Sequence, residues 1–429
     1  MGALIVILGI VLMVVIHEGA HFVAAKSFGM KATEAFFGFG PRLWSIKRGE
    51  TEYGVKAVPL GGYVKIIGMN PFEEVDPGDE GRTYRSNPFW KKSVVVLAGI
   101  ASHFVVALLL FYFVIVMFGV PRSTTAIGRV CPAIVRSVNV ADAMPFDFSD
   151  PEERCSITAI DGIPVEEWTG TTKQPGESTE IVIESEDGLL TVQTTDWLEP
   201  TAALLSGAAV GDRIVEFDGV AVEEWGDFQR AAVVAPGKAV EIIVEREGSL
   251  LTLQAELGTI VREGVATGFF GITQQGLIDE YGPLNAIPQA GSQMVEAIVA
   301  SVEGLGLLVS NFGDLLGAAV SGGEAPKEAR PISPVGLAAI ANEGPMEFGL
   351  QLVAYVNIFV GILNFVPMYP LDGGHFAVAL YEKIRGRSAD VRRMIPIAIV
   401  VFVFVLVLGV LGFYFDFVDP IQLTVRLLQ

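Results

Sequence analysis

The chain has 429 residues, of which 51% are hydrophobic, and its formal net charge at pH 7 is −20. This length accommodates two or three domains, and the apolar content is typical of a membrane protein. The strongly negative charge argues against a nucleic-acid partner, because surfaces that bind nucleic acid are basic.

Charged residues are unevenly distributed along the chain. Residues 26–92 contain 11 Lys/Arg and 8 Asp/Glu, whereas residues 120–345 contain 12 Lys/Arg and 34 Asp/Glu. Because basic loops stay on the cytoplasmic side of a membrane, residues 28–92 and the basic loop 383–393 are predicted to lie inside. The acidic middle region and both chain ends are then predicted to lie outside the cytoplasm. The membrane that the protein spans is predicted to be a plasma or inner membrane.

The first predicted span, residues 2–27, contains the motif His17-Glu18-Gly19-Ala20-His21. In one helix His17 and His21 lie one turn apart on the same face, so that two imidazoles can bind one metal ion. Glu18 lies next to them and is the candidate general base for a metal-activated water. The alternative is a helix end at the membrane surface, where these polar side chains are merely solvated.

Residues 28–92 are predicted to form a cytoplasmic, membrane-associated region with a β-hairpin and loops. Phe37-Gly38-Phe39-Gly40-Pro41 has the composition of a turn. The stretch from Thr51 to Ile67 alternates between apolar and polar residues on both sides of Gly61-Gly62, which indicates a hairpin-like pair. The double glycine allows another backbone to approach closely.

The second predicted span, residues 93–120, contains His103 within an otherwise apolar run. Ionisable residues inside a membrane face the protein interior or a functional cavity. We therefore expect His103 to be a polar group facing the protein interior, with a third metal ligand as the alternative.

Residues 125–273 contain an internal repeat. The segment Ile157–Trp168 recurs as Ile214–Trp225, and each copy is followed by an alternating strand, which predicts two copies of one β-rich module. The second copy, residues 199–273, resembles a peptide-binding PDZ domain. The first, residues 125–198, is predicted to be a degenerate PDZ-like domain, because Glu153-Arg154-Cys155-Ser156 stands where the second has Gly211-Asp212-Arg213.

The two cysteines of the chain, Cys131 and Cys155, lie in this repeat region. A disulfide is permitted if the region is outside the cytoplasm. Two buried free thiols are the alternative.

Residues 284–334 have apolar residues at helical spacing, which predicts amphipathic interfacial helices followed by a linker. Packing of these helices against the PDZ-like pair is the alternative.

The third predicted span, residues 349–375, is interrupted between Asn364 and His375 by two prolines and two glycines. Such a break is tolerated at membrane depth only where it lines a cavity or is buried in protein. Asp372 in this break is either a loop carboxylate or a metal ligand. The fourth predicted span is residues 394–415.

The predicted topology brings Asp372 to the same membrane depth as the histidines. A catalytic zinc needs three protein ligands and one open position, and His17, His21 and Asp372 supply three. Asn364 is a candidate for hydrogen bonding to the substrate backbone, and a cap within the broken helix is its alternative role.

These motifs together resemble the site-2 protease-type intramembrane zinc metalloproteases, in particular the actinobacterial-like members of the bacterial regulator of sigma-E protease group. The resemblance implies that one Zn²⁺ is held by His17, His21 and Asp372, with Glu18 as catalytic base. It also implies that Asn364 and Pro367 handle substrate. The implied substrates are transmembrane proteins such as anti-sigma factors, trimmed beforehand by another protease, with the PDZ-like region acting as a size filter.

The sequence departs from the family pattern at one place in the second span. Ile100 stands where the family has proline, and His103 stands where it has asparagine. The role of the second span is therefore open at this point.

The expected fold is thus an α-helical polytopic membrane protein with four spans and an extracytoplasmic β-rich tandem PDZ-like region. The expected function is intramembrane cleavage of transmembrane segments in regulated intramembrane proteolysis. Three alternatives are a non-catalytic membrane PDZ scaffold, a membrane-anchored protease with a water-exposed zinc domain, and a metal transporter. The predicted partners are transmembrane substrates and the lipid bilayer, with no nucleic acid.

Overall fold

The computed structural model describes residues 1–70, 73–136, 155–165, 168, 178–185, 188–194, 197–262, 265–323, 326, 329–387, 389 and 391–418. The chain divides into two compact units. Met1–Gly119 and Glu280–Gln429 form the helical unit, and Val120–Asp279 forms the β-rich unit.

The described helices are, in chain order, α1 Gly2–Ser27, α2 Phe89–Phe118, α3 Ala202–Ser206, α4 Trp225–Val233, α5 Ala286–Ser310, α6 Phe312–Ser321, α7 Pro334–Glu343, α8 Met346–Phe365, α9 Asp372–Arg385 and α10 Ile395–Val418. Two short 3₁₀ turns span Pro77–Arg82 and Val391–Met394.

The described strands are β1 Ala32–Arg48, β2 Thr51–Ile66, β3 Val120–Arg122, β4 Ile127–Val130, β5 Ala133–Arg136, β6 Ile157–Ile160, β7 Ile163–Pro164, β8 Thr179–Ser185, β9 Gly188–Thr194, β10 Trp197–Pro200, β11 Arg213–Phe217, β12 Val220–Ala221, β13 Ala239–Arg246, β14 Ser249–Glu256, β15 Gly258–Arg262, β16 Val265–Phe269, β17 Ile272–Gln274 and β18 Leu277–Asp279.

Within the described residues, five helices are long and apolar enough to cross a membrane: α1, α2, α5, α8 and α10. A polytopic membrane protein is therefore confirmed. The fifth candidate, α5, lies in residues 284–334, for which the sequence predicts amphipathic interfacial helices. Its 25 residues are mostly apolar, and Val295, Val299 and Val302 form an exposed apolar stripe along one face.

Close packing fixes the relative directions of three helices in the helical unit. Gly2 of α1 lies beside Gly349 of α8, and a Cβ on Gly9 would come 2.5 Å from the Val353 side chain. Thus α8 runs parallel to α1. Helix α2 runs antiparallel to both, because His103 lies beside Asn357 and the later Phe111 beside the earlier Tyr355, so its last turn lies at the end of the unit where α1 and α8 begin.

The first two strands form a sheet that differs from the predicted hairpin. The two arms of the predicted pair belong to one strand, β2, and both pair with β1, as when Phe36 lies opposite both Gly54 and Tyr63. The predicted turn at 37–41 lies within β1. Gly38 and Gly40 adopt positive φ of 86° and 82°, so the strand bends there while its pairing continues.

The β-rich unit contains two four-stranded sheets with the same strand order. One is β7-β6-β8-β9, and the other is β12-β11-β13-β14. Each repeat makes its first turn with an Asp-Gly pair at positive φ, Asp161-Gly162 and Asp218-Gly219. This is the residue pair preferred in tight hairpin turns. The sequence repeat therefore corresponds to repeated structure, and assignment to the PDZ class stays a prediction.

Cys131 and Cys155 form a disulfide in the β-rich unit. Their sulfurs pack against Ile260 and Phe269. Of the two alternatives for these cysteines, the structure has the disulfide. Glu153 and Arg154, on which the prediction of a degenerate first module depends, lie outside the described residues.

Candidate metal centre

The two histidines of the H-E-x-x-H motif point to the same place from α1. They lie one turn apart, as the spacing predicts, and their Nε2 atoms are 3.3 Å from each other. Both side chains are mostly buried. A pair of imidazole nitrogens this close is an arrangement suited to a shared cation.

Asp372 reaches the histidines from the first turn of α9. Its Oδ2 lies 3.1 Å from Nε2 of His21 and 3.4 Å from Nε2 of His17. The break after α8 allows this return of the chain. Side chains at the next two positions would collide with it, since a Cβ on Gly373 would come 2.4 Å from the Phe365 carbonyl oxygen and one on Gly374 would come 2.5 Å from the Tyr369 nitrogen.

The three donor atoms fit a tetrahedral metal ion. They form a nearly equilateral triangle with edges of 3.1, 3.3 and 3.4 Å. Ligands at ordinary zinc distances are separated by about 3.3–3.4 Å along the edge of a tetrahedron. Among the described residues, His17, His21 and Asp372 are the one grouping with donor atoms this close together.

Helix α2 supports the histidines from behind. Nδ1–H of His21 donates a hydrogen bond of 2.8 Å to the Val95 carbonyl oxygen, which leaves the lone pair of Nε2 directed at the centre. Gly99, one turn further along α2, makes room for both rings. A Cβ there would come 2.2 Å from Nε2 of His21 and 2.9 Å from Cε1 of His17.

The Glu18 side chain projects from α1 towards strand β2. A Cβ on Gly62 would come 3.1 Å from Cγ of Glu18 and 3.1 Å from the Phe36 carbonyl oxygen. The second glycine of the Gly61-Gly62 pair therefore lets the strand pass directly beside this carboxylate and beside β1. Of the described pairings, those of residues 62–66 are all with the first part of β1, on one side.

The remaining sequence candidates lie outside the triangle. Asn364 is half-buried in the last turn of α8, and Pro367 is exposed in the break. Nδ1 of His375 lies 3.1 Å from the Tyr369 hydroxyl. His103 is buried, and its ring centroid lies 4.7 Å from that of His17, but its nitrogens are not part of the close grouping of donors.

Sequence reasoning missed the supporting residues Val95, Gly99 and Asn357. Asn357 is fully buried in α8 and its Oδ1 lies 3.3 Å from Nδ1 of His103. A polar residue in an apolar span is a signal that could have singled it out. Val95 acts through its backbone, which leaves no trace in the sequence.

A protein-family comparison decides the classification. The model of peptidase family M50 matches residues 5–408. The chain belongs to peptidase family M50. The predicted resemblance to the site-2 protease type, and the prediction that the chain is a metalloprotease, are thereby confirmed.

Several M50 relatives align over nearly their whole length. Zinc metalloprotease Rip1 of Mycobacterium tuberculosis H37Rv is 29% identical over 98% of both chains. Rip1 of Mycolicibacterium smegmatis is 30% identical over 92% of this chain and 89% of its own. Regulator of sigma-E protease RseP of Escherichia coli K12 is 27% identical over 91% of this chain and 92% of its own.

Proposed function

We propose that this M50 protein is an intramembrane zinc metalloendopeptidase in which His17, His21 and Asp372 hold the metal and Glu18 is the catalytic base. The observation that carries the proposal is the triangle of donor atoms, two of them on the apolar helix α1 and the third at the start of α9, with the Glu18 carboxylate beside it. The triangle has the size that tetrahedral zinc requires, and the relatives Rip1 are named zinc metalloproteases.

The bound zinc and the protein residues have separate roles in peptide hydrolysis. When bound, zinc polarises the scissile carbonyl and lowers the pKa of water at its open position. Glu18 accepts a proton from the attacking water and returns it to the leaving amine. His21 keeps its orientation through Val95, and the burial of the His17, His21 and Asp372 side chains limits the access of bulk water.

The substrate that suits this site is an extended stretch of a transmembrane segment. A helix must unwind before its peptide bonds become accessible, and residues 62–66 of β2 offer a strand edge beside Glu18. An unwound substrate would pair with this edge as an added strand. Asn364, in the last turn of α8, and Pro367, in the break after it, would contact the substrate backbone.

Single-pass membrane proteins are the proposed substrate class, and pre-trimmed anti-sigma factors are the proposed members. RseP is named as a regulator of sigma-E protease, which supports this choice. The tandem modules of the β-rich unit would act as a PDZ-like size filter outside the cytoplasm.

The proposed topology has four complete spans with both chain ends outside. The last turn of α2 and the first turn of α8 lie at the same end of the helical unit, so the chain between them crosses the membrane an even number of times. Helix α6 has only 10 residues, about 15 Å, which is too short to complete a second crossing after α5. Helices α5 and α6 therefore begin and end on the same side of the membrane.

Cleavage by the purified, detergent-solubilised protein tests the proposal. The substrate is a transmembrane helix with a short outer tail, and Glu18→Gln is compared with wild type and with Glu303→Gln, which alters an exposed glutamate of α5. We expect Glu18→Gln to abolish cleavage while keeping its zinc, and Glu303→Gln to cleave normally. Cleavage by Glu18→Gln at the wild-type rate would refute the proposed base.

A further inference from the structure

His103 occupies a defined place beside the metal centre. Val95, Gly99 and His103 follow one another at intervals of four residues, so they lie on one face of α2. The first holds His21, the second makes room for both ligand rings, and the third packs its ring against His17 at a centroid distance of 4.7 Å. His103 thus continues the wall of the metal centre by one turn.

Contacts with α8 fix the protonation pattern of His103. The side-chain amide of Asn357 donates a hydrogen bond of 2.8 Å from Nδ2 to the Val353 carbonyl oxygen, which identifies the other atom, Oδ1, as the acceptor facing His103. Since Oδ1 accepts, Nδ1 of His103 carries the hydrogen. Nε2 is then a bare lone pair.

That lone pair has no partner in the described part of the chain. Nε2 of His103 is buried without a hydrogen bond, and the residue is only 2% exposed. A buried acceptor left unsatisfied destabilises the folded state, and in native proteins such a group calls for an explanation, for example a catalytic role or a bound water or ion. A hydrogen-bond donor bound in the working site would satisfy this acceptor.

The position of His103 suits a group one hydrogen bond away from the metal. Its nitrogens do not belong to the close grouping of donors, so it is not a fourth ligand in this arrangement. With its ring packed against that of His17, His103 would act on a group held at the metal and not on the metal itself.

We propose that Nε2 of His103 accepts a hydrogen bond from the water at the open coordination position, which makes His103 a positioning residue of this protease. The inference rests on the proposed function. In this arrangement Asn357 holds the imidazole in the required tautomer, and His103 orients the water for attack while Glu18 removes its proton.

The test measures metal binding by the full-length protein in detergent. His103→Leu removes the acceptor at similar volume, and His103→Gln places an amide oxygen close to the former Nε2. Ser102→Ala is the matched control, because within the described residues the Ser102 hydroxyl donates to the Gly99 carbonyl of its own helix and to no other group. Zinc affinity is measured by chelator competition, and the coordination environment by the absorption spectrum of the Co²⁺-substituted protein.

We expect His103→Leu to lower zinc affinity about tenfold, to shift the Co²⁺ bands and to reduce kcat with little change in KM. His103→Gln should stay within about threefold of wild type, and Ser102→Ala should be unchanged. If His103→Leu does not fold, His103→Phe serves as the acceptor-free variant.

Three results would overturn the inference. The first is a zinc affinity and a Co²⁺ spectrum in the acceptor-free variant that equal those of wild type. The second is a loss of zinc affinity in His103→Gln as large as that in His103→Leu. The third is a Co²⁺ spectrum of the wild-type protein that shows three nitrogen ligands. Absence of zinc from the wild-type protein is a separate outcome, which would overturn the proposed function itself.

Discussion

Gly99 is the residue on which the packing of the metal centre depends most directly. Any side chain there would overlap the His21 ring, since a Cβ would come 2.2 Å from Nε2 and 2.3 Å from Cε1. Contacts this short require α2 or the rings to move, and ligand orientation controls metal affinity.

We therefore expect Gly99→Ala to lower zinc affinity at least about tenfold, while the protein still folds, because alanine is favourable in helices. Gly409→Ala in α10 is the control, as a Cβ there has nothing within 4 Å. Chelator competition on both variants provides the measurement. Equal zinc affinity in the two would show that the site relaxes around the added methyl group.

At this scale the sequence identifies the proposed metal ligands and base and omits the residues that support them. His17, Glu18 and His21 stand out because their spacing matches one helical turn. Asp372 could be selected only through predicted membrane depth and the broken helix. The Val95 carbonyl could not be predicted, because a backbone acceptor is the same in every residue type.

Among the individual elements, the second module of the β-rich unit has a charged pair that joins two segments, with Asp212 buried and Arg246 partly exposed. Arg246 at the end of β13 donates to both carboxylate oxygens of Asp212, at 2.6 and 2.7 Å, and the Ala209 N–H donates at 2.9 Å. Burial alone would raise the pKa of Asp212, but these hydrogen bonds outweigh it and hold the pKa below its ordinary value of 3.8.

Because the folded-state pKa is lowered, Asp212 stabilises the module fully above the unfolded-state pKa, and this contribution is lost as the pH falls through the lowered value. Asp212→Asn should destabilise the module by about 1–2 kcal/mol at neutral pH, with the difference from wild type shrinking below about pH 4. Amide hydrogen exchange of β11 and β13 in the full-length protein is the readout.

Asp218→Asn is the control for this prediction. It removes an exposed pair with Lys238 from the same module, and exposed pairs contribute about 0–1 kcal/mol. Equal amide exchange in the two variants at neutral pH would mean that the Asp212–Arg246 pair stabilises the module no more than an exposed pair does.

The sheet of β1 and β2 marks the limit of what alternation predicts. The pattern from Thr51 to Ile67 correctly indicates extended backbone, but periodicity contains no information about which strand is the partner. β1 lies between the two arms of β2 because Gly38 and Gly40 permit a bend within a continuous strand. Glycine in such a pattern predicts a turn and a bent strand equally well.

For the whole molecule, hydropathy identifies apolar helices without deciding which of them cross the membrane. Helix α5 passes every criterion of length and composition, yet the helix directions in the helical unit require an even number of crossings between α2 and α8. Only packing contacts, such as Gly2 against Gly349, supply those directions.

Single-cysteine labelling in spheroplasts tests this topology. We expect a membrane-impermeant maleimide to label Gly282→Cys and Ser321→Cys, which flank α5 and α6, from outside. Arg387→Cys, in the basic loop after α9, should react only after lysis. Reaction of Ser321→Cys only after lysis would show that α5 crosses the membrane alone.

The central claim is that Asp372 joins the two histidines to hold one zinc ion. Its most direct test is the zinc content of the purified full-length protein, measured for wild type, Asp372→Ala and Asp314→Ala, the last of which removes an exposed carboxylate on α6. We predict one zinc per chain in wild type and in Asp314→Ala, and a loss of zinc in Asp372→Ala. One zinc per chain in Asp372→Ala, bound as tightly as in wild type, would contradict the assignment.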